Sequence, residues 1–216
     1  MMIGKSPLSI ACDKGHRDAV ELLLMNKADP NVKTYIERHT SHGPIPWSVS
    51  LLTVPYRDRN IDIMKLLLDY GVSPGSRVHD SNGCFASLLT ASMDEGYIDG
   101  IRLALTYGAT CSTHQAMMLY SNHNKDTFNY AETVNAMLPY LSDTILYQCV
   151  CFAVENNKPD MLDYILASGR IDPNLKIGSI DAITIAINNN YTDVVDVLNK
   201  HVSYSTSLPS TDIEQC

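Results

Sequence analysis

The stretch SPLSIACDKGHRDAVELLLMNKADPN, Ser6 to Asn31, sets the fold. Its second half runs Asp18-Ala-Val-Glu-Leu-Leu-Leu24. Val20, Leu23 and Leu24 stand at i, i+3 and i+4, which lays one apolar stripe along a helix. Asp18 falls in or just before the first turn and faces the positive end of the helix dipole, worth about 0.3–1 kcal/mol. The first half, Pro7 to Gly15, also reads as a helix. Proline suits a helix start, and glycine suits the tight turn that ends it.

The same unit returns along the chain, and such self-similarity outranks any local signal. The helix that starts on an acid recurs as Asp62-Ile-Met-Lys-Leu-Leu-Leu68, Asp99-Gly-Ile-Arg-Leu-Ala-Leu105, Glu132-Thr-Val-Asn-Ala-Met-Leu138, Asp160-Met-Leu-Asp-Tyr-Ile-Leu166 and Asp193-Val-Val-Asp-Val-Leu-Asn199. The leading acids are separated by 44, 37, 33, 28 and 33 positions, so one unit recurs with insertions and a deletion in its loops. Gly71, Gly108 and Gly169 follow three of these helices, and the first copy has Lys27 at that place. Upstream partners of Pro7–Gly15 are Leu88–Gly96, Cys149–Asn157 and Ala182–Asn190, each closed by Gly or Asn. Their fifth residues are Ala11, Ser92, Ala153 and Ala186, small enough for helices to approach closely.

On these residues the chain resembles the ankyrin-repeat family, whose usual form is T-P-L-H-x-A-A-x-x-G-H, an apolar helix, then G-A-D-x-N. Pro7, Leu8, Ala11, Gly15, His16, Val20, Leu23, Leu24, Ala28, Asp29 and Asn31 match it. The family's histidine in T-P-L-H is replaced by Ser9, Thr90, Cys151 and Thr184. The resemblance implies an all-α solenoid of about six stacked helix pairs. Approximate repeats are 5–37, 38–78, 79–111, 112–142, 143–175 and 176–202, followed by a polar tail over 203–216. The second and fourth copies are divergent. In the second, the segment from Gly43 to Leu52 is expected to begin the first helix, with Thr53 to Ile61 crossing to the second. The fourth is expected to be extended through the segment from Ser121 to Phe128. The first copy starts almost at once, so a fragment of a longer protein is one expectation.

A helix pair of this size cannot bury its own stripe; burial comes from stacking on neighbours. Leu23, Leu67, Leu105, Met137, Ile165 and Leu198 are the expected core, each worth roughly 1.5–3 kcal/mol when fully buried. Hydrophobic residues make up 45% of the 216 positions, which supports such a core. The formal net charge of −8 lacks the basic surplus of a nucleic-acid binder. No apolar stretch is long enough to span a bilayer, and the N-terminus has no secretory apolar region. The 6 cysteines form no compact framework and no C-x-x-C pair, so they are read as reduced thiols of a cytoplasmic or host-cytosolic protein.

Nothing in the chain carries a specific catalytic motif: no G-x-S-x-G, no phosphate-binding Walker loop, no dinucleotide fingerprint. The expected enzyme activity is therefore none, with no cofactor and no metal. His39 and His42 stand three apart in a loop but lack clean companion ligands. His16 fits the family's turn. Trp47 is expected to be buried in the second copy, and Cys149 and Cys151 are expected to pack on different helix faces.

The family resemblance implies a scaffold that binds another protein through loop tips and the exposed face of the first helices. The residues before each turn are then the partner-binding candidates: Asp13, Lys14, Asp94, Glu95, Glu155 and Asn156, with Asn188 and Asn189 in the last copy. Their surplus of acids points to a basic patch or basic peptide on the partner. Tyr35 and Arg38 in the loop from Val32 to His39, and Arg77 in the loop from Ser76 to Asp80, are the expected anchors, being residue types enriched at interfaces. The resemblance also marks Asn31 (with Leu23) and Asn174 (with Leu166) as candidate hydroxylation sites. The protein is expected to be a monomer. The second reading is a structural or autoregulatory ankyrin segment of a longer enzymatic or host-directed protein. If stacking supplies the core, Leu67→Glu places an unpaired charge inside it. The expected outcome is loss of at least the second and third repeats, read as lost helical circular-dichroism signal and a lowered urea midpoint.

Overall fold

A computed structural model describes residues 5–40, 43–79, 85–121 and 130–207. The chain divides into two compact units: residues 1–110 with 127–136, and residues 111–126 with 137–216.

In the first unit, α1 (Pro7–Asp13) pairs with α2 (Arg17–Met25), α3 (Thr53–Arg57) with α4 (Ile61–Asp69), and α5 (Leu88–Asp94) with α6 (Ile98–Thr106). The first helices are started by side chains: Ser6 accepts the backbone N–H of Ser9, and Ser87 accepts that of Thr90. Such caps are worth about 1 kcal/mol each. The turn between the helices of a pair needs a left-handed residue. Gly15 fills it in the first pair at φ 67°, and Arg59 fills it in the second at φ 52° despite carrying a side chain. Lys27, standing where later copies have glycine, is likewise left-handed at φ 65°. Every leading acid lies in the first turn of its helix, as expected: Asp18, Asp62, Asp99, Glu132, Asp160 and Asp193.

Between the pairs, the loops form antiparallel hairpins. Strand β1 (Lys33–Thr40) pairs with β2 (Gly43–Ser50) from Lys33↔Ser50 to Thr40↔Gly43. β3 (Arg77–His79) pairs with β4 (Phe85–Ser87). The first hairpin is rooted by a buried hydrogen bond of 3.0 Å between the hydroxyls of Ser9 and Thr34. Ser9 and Thr34 thus brace the loop against α1.

The second unit holds α7 (Thr113–Ser121), the 3-10 turn η1 (Leu138–Tyr140), α9 (Asp143–Glu155), α10 (Pro159–Ala167), α11 (Ala182–Asn188) and α12 (Thr192–Ser207). α8 (Tyr130–Met137) belongs to the first unit apart from Met137. α9 packs on α7, α10 and α11, and α12 packs on α10 and α11. A two-residue hairpin, β5 (Lys176–Ile177) with β6 (Ile180–Asp181), precedes α11.

Two expectations need correction. The segment from Gly43 to Ser50 is a strand, not the start of a helix, and the first helix of the second pair is Thr53–Arg57. Pro44 and Pro46 account for this, since proline removes helix hydrogen bonds and drives the residue before it to extended backbone. The all-α architecture expected is present, with three short hairpins in its loops among the described residues. The last helix runs to Ser207, past the boundary placed at 202. The insertion expected after Ser121 lies outside the described residues, as does the chain beyond Ser207.

Of the expected core, Leu67, Leu105, Met137, Ile165 and Leu198 are buried, while Leu23 is only half-buried. The small fifth residues Ala11, Ser92, Ala153 and Ala186 are all buried. Close approach is tightest at Gly100 in α6. A Cβ there would lie 2.4 Å from Ser92 Oγ and 2.5 Å from Tyr97 Cδ1, both fixed in the core. In an open helix, Gly→Ala would stabilise by about 1 kcal/mol. Overpacking a fixed site costs about 1–3 kcal/mol and reverses the sign. Gly100→Ala is therefore expected to lower the thermal midpoint, and a raised midpoint would contradict the packing described.

Candidate protein-interaction surface

Equivalent ends of α1, α3 and α5 carry the residues before the left-handed turn. In the first unit these are Asp13 and Lys14, Arg57 and Asp58, and Asp94 and Glu95. Arg57 and Asp58 were missed because the second copy was read out of register. One signal was available: Leu51-Leu-Thr53 repeats the Leu88-Leu-Thr90 that opens α5. With them included, the row in this unit has four acids (Asp13, Asp58, Asp94, Glu95) and two bases (Lys14, Arg57). Its acidity is further reduced by neighbours. Lys5 Nζ donates to Asp13 at 2.8 Å, and a guanidinium nitrogen of Arg59 lies 3.9 Å from a Glu95 carboxylate oxygen. Glu95 is not the exposed residue expected, since its side chain is only 11% accessible. Arg59 lies beside it, with its guanidinium 4.6 Å over the Tyr97 ring, whose hydroxyl donates to the Arg59 carbonyl.

The two hairpins of this unit are neighbours through β2 and β3, and β3 packs on both α3 and α5. This places the backbones of the expected anchors on adjacent hairpins. Tyr35, half-buried, stands opposite Ser48, and Arg77, exposed, stands opposite Ser87. Arg38 stands opposite Ile45. The side chains of Arg38, His39 and Trp47, and all of His42, lie outside the described residues.

In the second unit, Glu155 and Asn156 end α9 and are exposed. Asn156 is occupied by the fold, for its side-chain amide donates to the Phe152 carbonyl at 2.9 Å and caps the helix. Asn189 does the same to Ile185 at the end of α11. Asn188 is exposed. Asn31 and Asn174 sit in matching Asp-Pro-Asn turns. The backbone N–H of Asn31 donates to Asp29 Oδ1 at 2.9 Å, and that of Asn174 to Asp172 Oδ1 at 2.8 Å. Both asparagines are exposed.

Among the described residues, Cys12, Cys111 and Cys149 are buried packing groups. Burial pushes Cys12 and Cys149 up to about 12 and Cys111 up to about 11, so they stay protonated and poorly nucleophilic. Cys151 is half-buried on the same helix as Cys149. His16 starts α2 without a side-chain cap and is exposed. Among the described residues, no group of three or more His, Cys, Asp or Glu is placed to hold a metal ion, and no helix is long and apolar enough to cross a membrane.

A charged clasp fastens α12 to α10. Lys200 Nζ donates to both Asp163 oxygens at 2.8 and 2.9 Å, and His201 Nε2 lies 2.6 Å from Asp163 Oδ1. An ionised carboxylate only accepts, so Nε2 carries the proton in this contact. Burial pushes the Asp163 carboxyl up, but the hydrogen bonds and charges of Lys200 and His201 together outweigh it and hold it below the ordinary value. A depressed carboxyl stabilises the fold above its unfolded value of about 4 and loses that contribution as pH falls through the folded one. Asp163→Asn is expected to cost about 0.5–1 kcal/mol at neutral pH, as for a half-exposed pair. The gap to the wild type should close on acidification below about pH 4 in denaturant titrations.

The ankyrin repeat family model matches residues 3–35. No curated protein matches the sequence. Among solved structures, the chain is similar to the ankyrin repeat domain of Bcl-3, a member of the IkappaB protein family. That likeness has 19% identity and a TM-score of 0.50, covering 92% of this chain and 86% of that one. It is also similar to an ankyrin repeat domain from Acinetobacter baumannii AYE, at 16% identity and a TM-score of 0.46, covering 90% and 97%.

Proposed function

Given that this chain has the ankyrin-repeat fold and carries a repeat of that family at residues 3–35, we propose that it is a non-catalytic scaffold that docks a partner protein on its first unit. Ankyrin repeats serve generally as protein–protein interaction modules. The observation that carries the reading here is the arrangement around β3. Two neighbouring hairpins bearing Tyr35, Arg38 and Arg77 pack through β3 on α3 and α5, the helices whose C-terminal ends carry Arg57, Asp58 and Asp94. Arg57, Asp58, Arg77 and Asp94 are exposed and Tyr35 is half-buried. Aromatic and arginine side chains are the residue types that anchor interfaces, and the flanking charges set register and partner choice.

The partner fits a protein segment that is basic but carries at least one acid. Asp58 and Asp94 would meet its basic residues, and Arg57 or Arg77 its acid. Asp13, held by Lys5, and Glu95, covered beside Arg59, would contribute less. Localisation in the cytoplasm, or in the cytosol of a host cell, accords with buried protonated thiols.

The charge row gives the test. Asp58→Lys combined with Asp94→Lys changes two exposed side chains and is expected to leave the thermal midpoint within a few degrees, as surface changes do. Quantitative affinity capture should then show at least one partner of the wild type lost from the double variant. Identical partner sets at equal recovery would refute docking on this row.

A further inference from the structure

The β1–β2 hairpin outruns the other hairpins. Its strands pair over eight residues each, against three in β3–β4 and two in β5–β6. Its root is buried at Thr34, Val49 and Ser50, and residues 36–40 of β1 continue beyond that root. Two strands alone are marginally stable in water, and a third strand is one way to complete such a ribbon. Among the described residues, β2 is the element that packs closely on β1.

The register shows which way the backbone groups point. Proline has no N–H, so Glu37↔Pro46 and His39↔Pro44 are not hydrogen-bonded pairs of this antiparallel ladder. Bonded and non-bonded pairs alternate, which gives the ladder bonds to Thr34↔Val49, Ile36↔Trp47, Arg38↔Ile45 and Thr40↔Gly43. Tyr35, Glu37 and His39 therefore turn both N–H and C=O to the outer edge of β1. Among the described residues, none pairs its backbone with that of Lys33 or Tyr35 outside the hairpin. The two edges differ. On β2 the outward row lacks donors at Pro44 and Pro46, a usual means of closing an edge to another strand. β1 has no proline, so its row of donors is complete. This openness does not depend on what stands before α1. β4 and β6 end directly before their helices, so a strand of that kind beside α1 would lie along the root of β1 and leave residues 36–40 clear.

We propose that the outer edge of β1 takes up an extended segment of a partner protein as a third, antiparallel strand. The row of backbone groups selects the occupant: a chain in β conformation, without proline where it faces Tyr35, Glu37 and His39. Cross-strand pairing sets its side chains, with a basic residue opposite Glu37, an acid opposite Arg38 and a β-branched residue opposite Ile36. The inference rests on the reading of this chain as a docking scaffold. It uses the edge of the hairpin away from β3, not the charges of Asp58 and Asp94.

The probe is a displayed library of random short peptides, selected on the full chain, with the selected peptides then synthesised. In hydrogen exchange followed by NMR, bound peptide should protect the amides of Tyr35, Glu37 and His39. Those of Ile36 and Arg38 should be protected with or without it. Glu37→Pro removes one outward N–H that the hairpin does not use, so the thermal midpoint should be kept while peptide affinity falls about tenfold or more. Glu37→Ala keeps the N–H and should cost far less. Asp58→Lys with Asp94→Lys should leave peptide binding intact. The proposal is overturned if no peptide is selected, if the outward amides gain no protection, or if Glu37→Ala weakens binding as much as Glu37→Pro. Binding that survives Glu37→Pro but not the double lysine variant would also overturn it, while upholding docking on the charge row.

Discussion

No helix pair in this chain can bury its own apolar side, and everything else in the structure follows from that. Each second helix has two apolar flanks. One, held by Val20 and Leu24 in α2 and by Met64 and Leu68 in α4, is buried in the array; the other, held by Ile63 and Leu67 in α4, is buried too. The seven-residue pattern after each leading acid encodes both flanks at once. The left-handed residue between the helices keeps the pairs alike, since it fixes how each second helix returns along the first. That Arg59 and Lys27 adopt this conformation without being glycine shows that stacking outweighs a local backbone cost of about 1–2 kcal/mol.

Because most of the core is built from helices, with single loop residues such as Val78 added to it, the loops can differ in length between repeats. The β1–β2 hairpin pairs eight residues on each strand, and β5–β6 pairs two. The root of the long hairpin is buried at Thr34, Val49 and Ser50. The helix ends show the opposite economy. Several polar groups that resemble binding residues are engaged by the fold: Asn156 and Asn189 close helices, Glu95 is covered beside Arg59, and Asp13 accepts from Lys5. A row of charges is therefore a weak guide to a docking surface by itself, because the fold engages several of its members.

The repeat, the helix starts and most of the core were legible because they obey periodic constraints. Leading acids, turn glycines and small fifth residues all fall where the pattern puts them. The second copy was misread because the segment from Gly43 to Leu52 has enough apolar residues to pass for a helix, while the information against it lay in Pro44 and Pro46. The structure places its first helix on Thr53-Val-Pro-Tyr-Arg57, directly after Leu51 and Leu52, where Pro55 takes the small residue's position and Tyr56 fills the core. Arg57 and Asp58 joined the candidate surface only with that register. Individual side-chain pairings, such as Ser9 with Thr34 or Arg59 with Tyr97, depend on which repeats stack and carry no local signature.

Native-state hydrogen exchange, read helix by helix at a concentration where the chain is monomeric, tests the dependence on neighbours most directly. Amides of α4, covered by α2 on one side and α6 on the other, should exchange most slowly in the first unit. Those of α2, covered on one side only, should exchange distinctly faster. Equal protection of α2 and α4 in the monomer would contradict the claim that each pair is held by the pairs beside it.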